Sequence, residues 1–227
     1  MSAQDGKLRV VYVAGANHCG STLLAILLDA HPRMVSIGEM GPAARWASGA
    51  YECSCGEPIV ECPFFLEIAR SMESRGVVLD PADMRLRLTS ERGRLRNRAL
   101  VYSLGSSVLD AARESLTDVI LRNPRAFPAL RERTEVFIEA ALEVSGADVF
   151  VDTTKVAARI PFLEGCPRID LCVVHLVRDP RAQVFSALRR PRNKKASEHA
   201  SSMLRRDMRF ERRLKHGTKI RSMVLRL

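Results

Sequence analysis

Two stretches of the chain carry residue types and spacings suited to gripping phosphate. The first, Gly15-Ala-Asn-His-Cys-Gly20-Ser21-Thr22, follows an apolar run and precedes an apolar, helix-like segment. In that setting a glycine-rich loop can aim backbone N–H groups at an anion held at the positive end of a helix dipole. Ser21 stands where a nucleoside-triphosphate loop carries the lysine that reaches the β- and γ-phosphates, so ATP or GTP hydrolysis fits poorly. A strand–turn–helix without any ligand is the plain alternative for this stretch alone. The second stretch is Val174-His-Leu-Val-Arg178-Asp-Pro-Arg-Ala-Gln-Val-Phe-Ser186. Arg178 leaves a strand tip, Pro180 suits a first helical position, and Ser186 lies about two turns along the helix that follows. A guanidinium fork with a hydroxyl suits a phosphate monoester dianion. An arginine paired only with a neighbouring carboxylate is the bland reading.

Elements able to hold these groups are legible from periodicity. Leu8-Arg-Val-Val-Tyr-Val-Ala14 is short, nearly continuous and β-branched, as a strand buried on both faces of a parallel sheet should be. A helix is expected over residues 21–30, stopped by His31-Pro32, and a second strand over residues 34–37. Residues 64–146 read as mostly helical, with segments near 64–75, 82–101, 103–116 and 124–145. Strands return at 149–151 and 169–177, each followed by a helix, at 154–163 and 180–190. The tail from residue 196 to 227 reads as basic and helical. Strands alternating with helices predict an α/β fold with a central parallel sheet flanked by helices and a helical insertion at about 64–146. The whole of residues 1–227 is expected to form a single domain.

Composition narrows the class. The chain has 227 residues, 46% apolar and 27% charged, which is ordinary for a globular protein. No apolar run approaches the length of a membrane span, and no secretory leader is evident at the start, so the cytoplasm is the expected location. The net charge of +10 is lopsided. Residues 159–227 hold 18 Lys/Arg against 6 Asp/Glu, leaving 18 against 20 in residues 1–158. Such an excess attracts a polyanion, yet a solvated basic helix explains it as well, and only 5% of residues are aromatic. No nucleic-acid partner is expected. Of six cysteines, Cys53-Ser-Cys55-Gly and Cys62-Pro form the one suggestive cluster. It offers three thiols with no fourth ligand at zinc-ribbon spacing, and a thiol-containing loop is the expectation, with no metal.

Gly20-Ser21-Thr22-Leu23-Leu24 resembles the loop that binds the 5′-phosphosulfate in sulfotransferases dependent on 3′-phosphoadenosine 5′-phosphosulfate (PAPS), and Arg178 with Ser186 is similar to that family's grip on the 3′-phosphate. The resemblance implies a P-loop-like sulfotransferase core, with Cys19, Gly20, Ser21, Thr22, Leu23, Arg178 and Ser186 at the donor. Asp29-Ala-His-Pro-Arg-Met-Val-Ser-Ile-Gly38-Glu39 looks like a stretch of the tyrosylprotein sulfotransferases whose glutamate takes the acceptor's proton, a role that falls here on Glu39. Val151-Asp-Thr-Thr-Lys155 is similar to a family segment whose lysine contacts the transferring group, which implies that task for Lys155. His18 replaces the family's usual Lys or Arg and is carried over as a donor-site cation or hydrogen-bond donor. The implied reaction moves a sulfuryl group to an acceptor hydroxyl (carbohydrate, phenol, lipid or peptide), leaving adenosine 3′,5′-bisphosphate and needing no metal. The family pattern continues past the second motif into another strand and a closing loop, whereas Met223-Val-Leu-Arg-Leu227 follows a basic helical stretch. A shortened chain that binds the nucleotide without catalysis is therefore the alternative, and a small-molecule kinase the weaker one.

Overall fold

The computed structural model describes residues 6–40, 52–88, 100, 106–188 and 221–226. Five strands form one sheet: β1 (Leu8–Ala14), β2 (Met34–Ser36), β3 (Val149–Asp152), β4 (Ile169–Val177) and β5 (Arg221–Arg226). Their order is β2-β3-β1-β4-β5, and every neighbouring pair is parallel. Helices among the described residues include α1 (Ser21–Asp29), α2 (Pro63–Glu73), α3 (Ser107–Arg122), α4 (Pro128–Ser145), α5 (Arg159–Glu164) and α6 (Pro180–Leu188). The α/β class, the parallel sheet and its flanking helices are as expected.

Strand alternation divides the core. Val10, Tyr12 and Phe150 face a large cluster with Phe65 and Ile68 of α2, Phe137 and Ala140 of α4, and Phe162 of α5. Phe137 meets Phe150 edge-on at 6.3 Å between ring centroids, fixing α4 against β3. Val13, Val151 and Leu176 face the opposite way into a thin cluster completed by Leu24 and Leu28 of α1. Helix α4 starts at Pro128 and ends on the left-handed Gly146, a proline start and glycine stop that suit both termini. Arg131 is buried within it and donates to the carbonyls of Ala126 (2.7 Å), Asn123 (3.0 Å), Phe162 (2.6 Å) and Leu121. It thereby satisfies carbonyls that the ends of α3 and α5 leave without helical partners.

Three expectations need correction. Residues 82–88 are not helical: Asp80-Pro81 opens a turn, Arg85 has φ +50°, and Met84, Leu86 and Leu88 are buried while Arg85 is exposed. The helix expected over 154–163 begins only at Arg159, because residues 153–158 form the loop described below. The basic helical tail does not hold at its end. Residues 221–226 are strand β5, paired with β4 from Cys172↔Arg221 to Val177↔Arg226. Period-2 pairing on an existing strand gives those backbone groups partners that no helix pattern revealed. The rest of that tail, 196–220, and most of the segment 82–101 beyond residue 88, lie outside the described residues.

Candidate functional site

All five strands are parallel, so their carboxyl ends share one edge of the sheet, and the chemistry-bearing residues lie there. The connection leaving β1 crosses to β2 on one side, while the one leaving β4 runs to β5 on the other. The β1/β4 boundary is thus the switch point at which open α/β sheets leave a crevice for a ligand. Residues 15–20 and Arg178 flank it.

The loop is shaped for close approach. A Cβ on Gly15 would come within 2.8 Å of both the Leu176 carbonyl oxygen of β4 and the Cys19 sulfur, so only glycine fits. His18 has φ +64° and Gly20 φ +98°, left-handed conformations from which backbone amides can form an anion-binding concavity. Gly20 precedes the first turn of α1, and its carbonyl accepts from the Leu24 amide at 3.0 Å. Cys19 and Ser21 are buried, His18 is half-buried, and Thr22 and Leu23 are exposed on the first turn of α1.

Arg178 follows the last residue of β4 and donates from Nη1 to the His18 carbonyl at 3.1 Å, crossing the boundary to the loop. Its own carbonyl accepts from Gln183 Nε2 at 2.9 Å, and Gln183 is buried. That glutamine is a positioning contact the sequence reading missed. Asp179 caps α6 through the Arg181 amide at 2.8 Å, and hydrogen bonds from Arg181, side chain first, hold its carboxyl down to about 2. Pro180 takes the expected first helical position, and Ser186 lies half-buried along α6.

On the other side of the edge, Glu39 and Lys155 form an ion pair across 116 residues of sequence. Glu39 is 44% exposed and Lys155 15%, so the carboxylate faces solvent while the ammonium lies mostly under it. Several contacts set this geometry. Gly38, at φ +75°, receives the Thr153 amide on its carbonyl at 3.3 Å, and the Met40 amide donates to Thr154 Oγ1 at 2.8 Å. These tie the turn after β2 to the loop after β3. Beneath them Asp152, fully buried, accepts from Arg159 Nε at 2.7 Å and from the Thr154 amide at 2.8 Å. Arg159 also donates to the Leu86 carbonyl at 3.0 Å and lies 2.8 Å from Met40 Sδ. The Tyr12 hydroxyl reaches from β1 to the carbonyls of Thr154 and Val156. Tyr12, Asp152, Thr154 and Arg159 escaped the sequence reading. The available signal was opposite charges at 152 and 159 flanking a short loop at a strand end.

The structure therefore brings Glu39 to Lys155 and Arg178 to the loop at His18, and sets both pairs on the same sheet edge. The Cys53, Cys55 and Cys62 sulfurs lie within 4.8 Å of one another. No helix among the described residues is long and apolar enough to cross a membrane.

No family model and no curated protein sequence matches the chain. Among solved structures it is similar to the sulfotransferase domain from the curacin biosynthetic pathway, at 14% identity and a TM-score of 0.47, covering 96% of this chain and 67% of that one. It is also similar to the sulfotransferase domain from the Synechococcus PCC 7002 olefin synthase, at 16% identity and a TM-score of 0.43, covering 98% and 69%. A third likeness, to TT1252 from Thermus thermophilus, has 14% identity and a TM-score of 0.35, covering 96% and 89%.

Proposed function

We propose that the chain is a PAPS-dependent sulfotransferase acting on an acceptor hydroxyl. The observation that carries the reading is the alignment of four groups on one sheet edge: a lysine-less glycine loop, Arg178 bonded to it, and the Glu39–Lys155 pair beside it. The residues suit the donor. Gly15 lets the loop pack closely on Leu176 and Cys19, and positive φ at His18 and Gly20 suits a nest for an anion. With one phosphate before the transferring group, the donor needs no P-loop lysine, in keeping with Ser21.

PAPS supplies the activated sulfuryl group when bound. Backbone amides of residues 18–22 hold its 5′ anion, with His18 adding a donor and the Thr22 hydroxyl exposed at the helix start. Arg178 and Ser186 grip the 3′-phosphate. Glu39 accepts the acceptor's proton, and Lys155 neutralises negative charge that grows as the group transfers. The exposure of Glu39 leaves it open to an acceptor from solvent. This edge chemistry calls for no metal at the reacting atoms.

The test is calorimetric titration of adenosine 3′,5′-bisphosphate into wild type and Arg178→Ala, with ATP as control. Wild type should bind and ATP should not. Removing a charged hydrogen bond worth about 1.5–3 kcal/mol should weaken binding roughly 10- to 150-fold. Glu39→Gln should keep this binding and lower sulfuryl transfer about 10²- to 10⁴-fold. Binding without transfer in wild type would favour a nucleotide-binding protein over an enzyme. Equal affinity in wild type and Arg178→Ala would refute the donor site.

A further inference from the structure

The three thiols of residues 53–62 have no part in the sulfuryl-transfer reading, yet their arrangement is specific. Cys62 Sγ lies 3.4 Å from Cys53 Sγ and 3.6 Å from Cys55 Sγ, and all three sulfurs fall within 4.8 Å of one another. A bond of about 2.3 Å from each thiolate to a tetrahedral zinc ion implies sulfur–sulfur edges of about 3.8 Å. The 3.4 and 3.6 Å spacings lie close to that edge and are far from the roughly 2.05 Å of a disulfide. An odd set of three also cannot pair off internally, and all six cysteines of the chain are free thiols.

The backbone is built to converge these sulfurs. The Gly56 amide donates to the Cys53 carbonyl at 2.9 Å, Gly56 itself has φ +91°, and the Cys53 amide donates to Glu57 at 2.8 Å. This closes a tight turn, sealed by the Glu52↔Pro58 bridge, that returns the chain toward Cys62. Cys62 is the N-cap of α2, with Pro63 in the first turn, so its sulfur sits at the positive end of the helix. Cys62 is buried beside Ile59 and Phe65, Cys53 is half-buried, and Cys55 is exposed, so the cluster runs from core to surface.

We propose that Cys53, Cys55 and Cys62 form a three-thiolate site for a zinc-class divalent cation, with the fourth position left to water or an external ligand on the Cys55 side. Its role is structural: it staples the turn at residues 52–58 to the start of α2. The site stands independently of the sulfotransferase reading.

The full chain, purified without chelator under reducing conditions and incubated with zinc, is assayed by elemental mass spectrometry. Cobalt(II) substitution is followed by thiolate-to-metal charge-transfer absorption. About one zinc per chain is expected, with tetrahedral cobalt spectra. Cys55→Ser, at the exposed sulfur, should lose the metal at least tenfold while far-UV circular dichroism stays that of wild type. Cys172→Ser, in β4 and outside the cluster, should keep it. A folded, reduced wild type that retains no zinc overturns the proposal. So does metal content that Cys55→Ser leaves unchanged, or an intact mass two hydrogens short that marks a Cys53–Cys62 disulfide under the same conditions.

Discussion

Replacing Arg159 with methionine tests the internal bracing of the candidate site. The guanidinium and the Asp152 carboxylate are 2% and 0% exposed and meet at 2.7 Å. Methionine keeps much of the arginine's apolar stem over Phe162, whose ring lies 5.7 Å from the guanidinium carbon, but removes the charge. Asp152 then keeps only the Thr154 amide, and the Leu86 carbonyl loses its donor. Breaking a buried pair by removing one partner typically costs about 3–5 kcal/mol, because an uncompensated charge remains inside. For a chain of this size each kcal/mol moves Tm by about 2–4 °C, so a fall of about 6–20 °C is expected. Urea unfolding monitored by circular dichroism gives the same quantity independently. Pairing the change with Asp152→Asn should recover most of the loss, since asparagine still offers Thr154 an acceptor and buries no charge. A cost below about 1 kcal/mol for Arg159→Met would refute the buried ion pair as the brace of residues 153–158. So would a double variant no more stable than the single one.

Two further outcomes follow from the same geometry. Gly15→Ala should destabilise by about 1–3 kcal/mol, because the added carbon meets the Leu176 carbonyl of a central strand at 2.8 Å and that backbone cannot yield; thermal melting as stable as wild type would contradict the close approach. Asp179 titrates near 2 in the fold against 3.8 ordinarily, so its contribution to stability is present above 3.8 and lost as pH falls through about 2. Asp179→Asn, which preserves the cap, should therefore melt slightly below wild type at neutral pH and converge with it as pH approaches 2, whereas a difference independent of pH would rule this out.

The sequence alone determined what depends on near neighbours. The run at Leu8–Ala14, the glycine loop and the helix after it are local, because strand and helix periods and the left-handed preference of glycine act within a few residues. The same holds for Arg178, Pro180 and Ser186, whose spacing is set by one strand end and one helix. Local pattern misled where pairing partners were distant. Met84, Leu86 and Leu88 sit in an irregular loop that the core holds by burying them, and Arg221–Arg226 became a strand only because β4 offered an open edge. Tertiary structure decided the rest. Glu39 meets Lys155 through strands β2 and β3 that adjoin in space, and Tyr12 steadies Val156 across 144 residues of chain. The Asp152–Arg159 pair could be seen as two charges in the sequence, but not as a pair. Burial, which makes an unpartnered charge costly, exists only once Phe162, Met40 and Leu86 have closed around it.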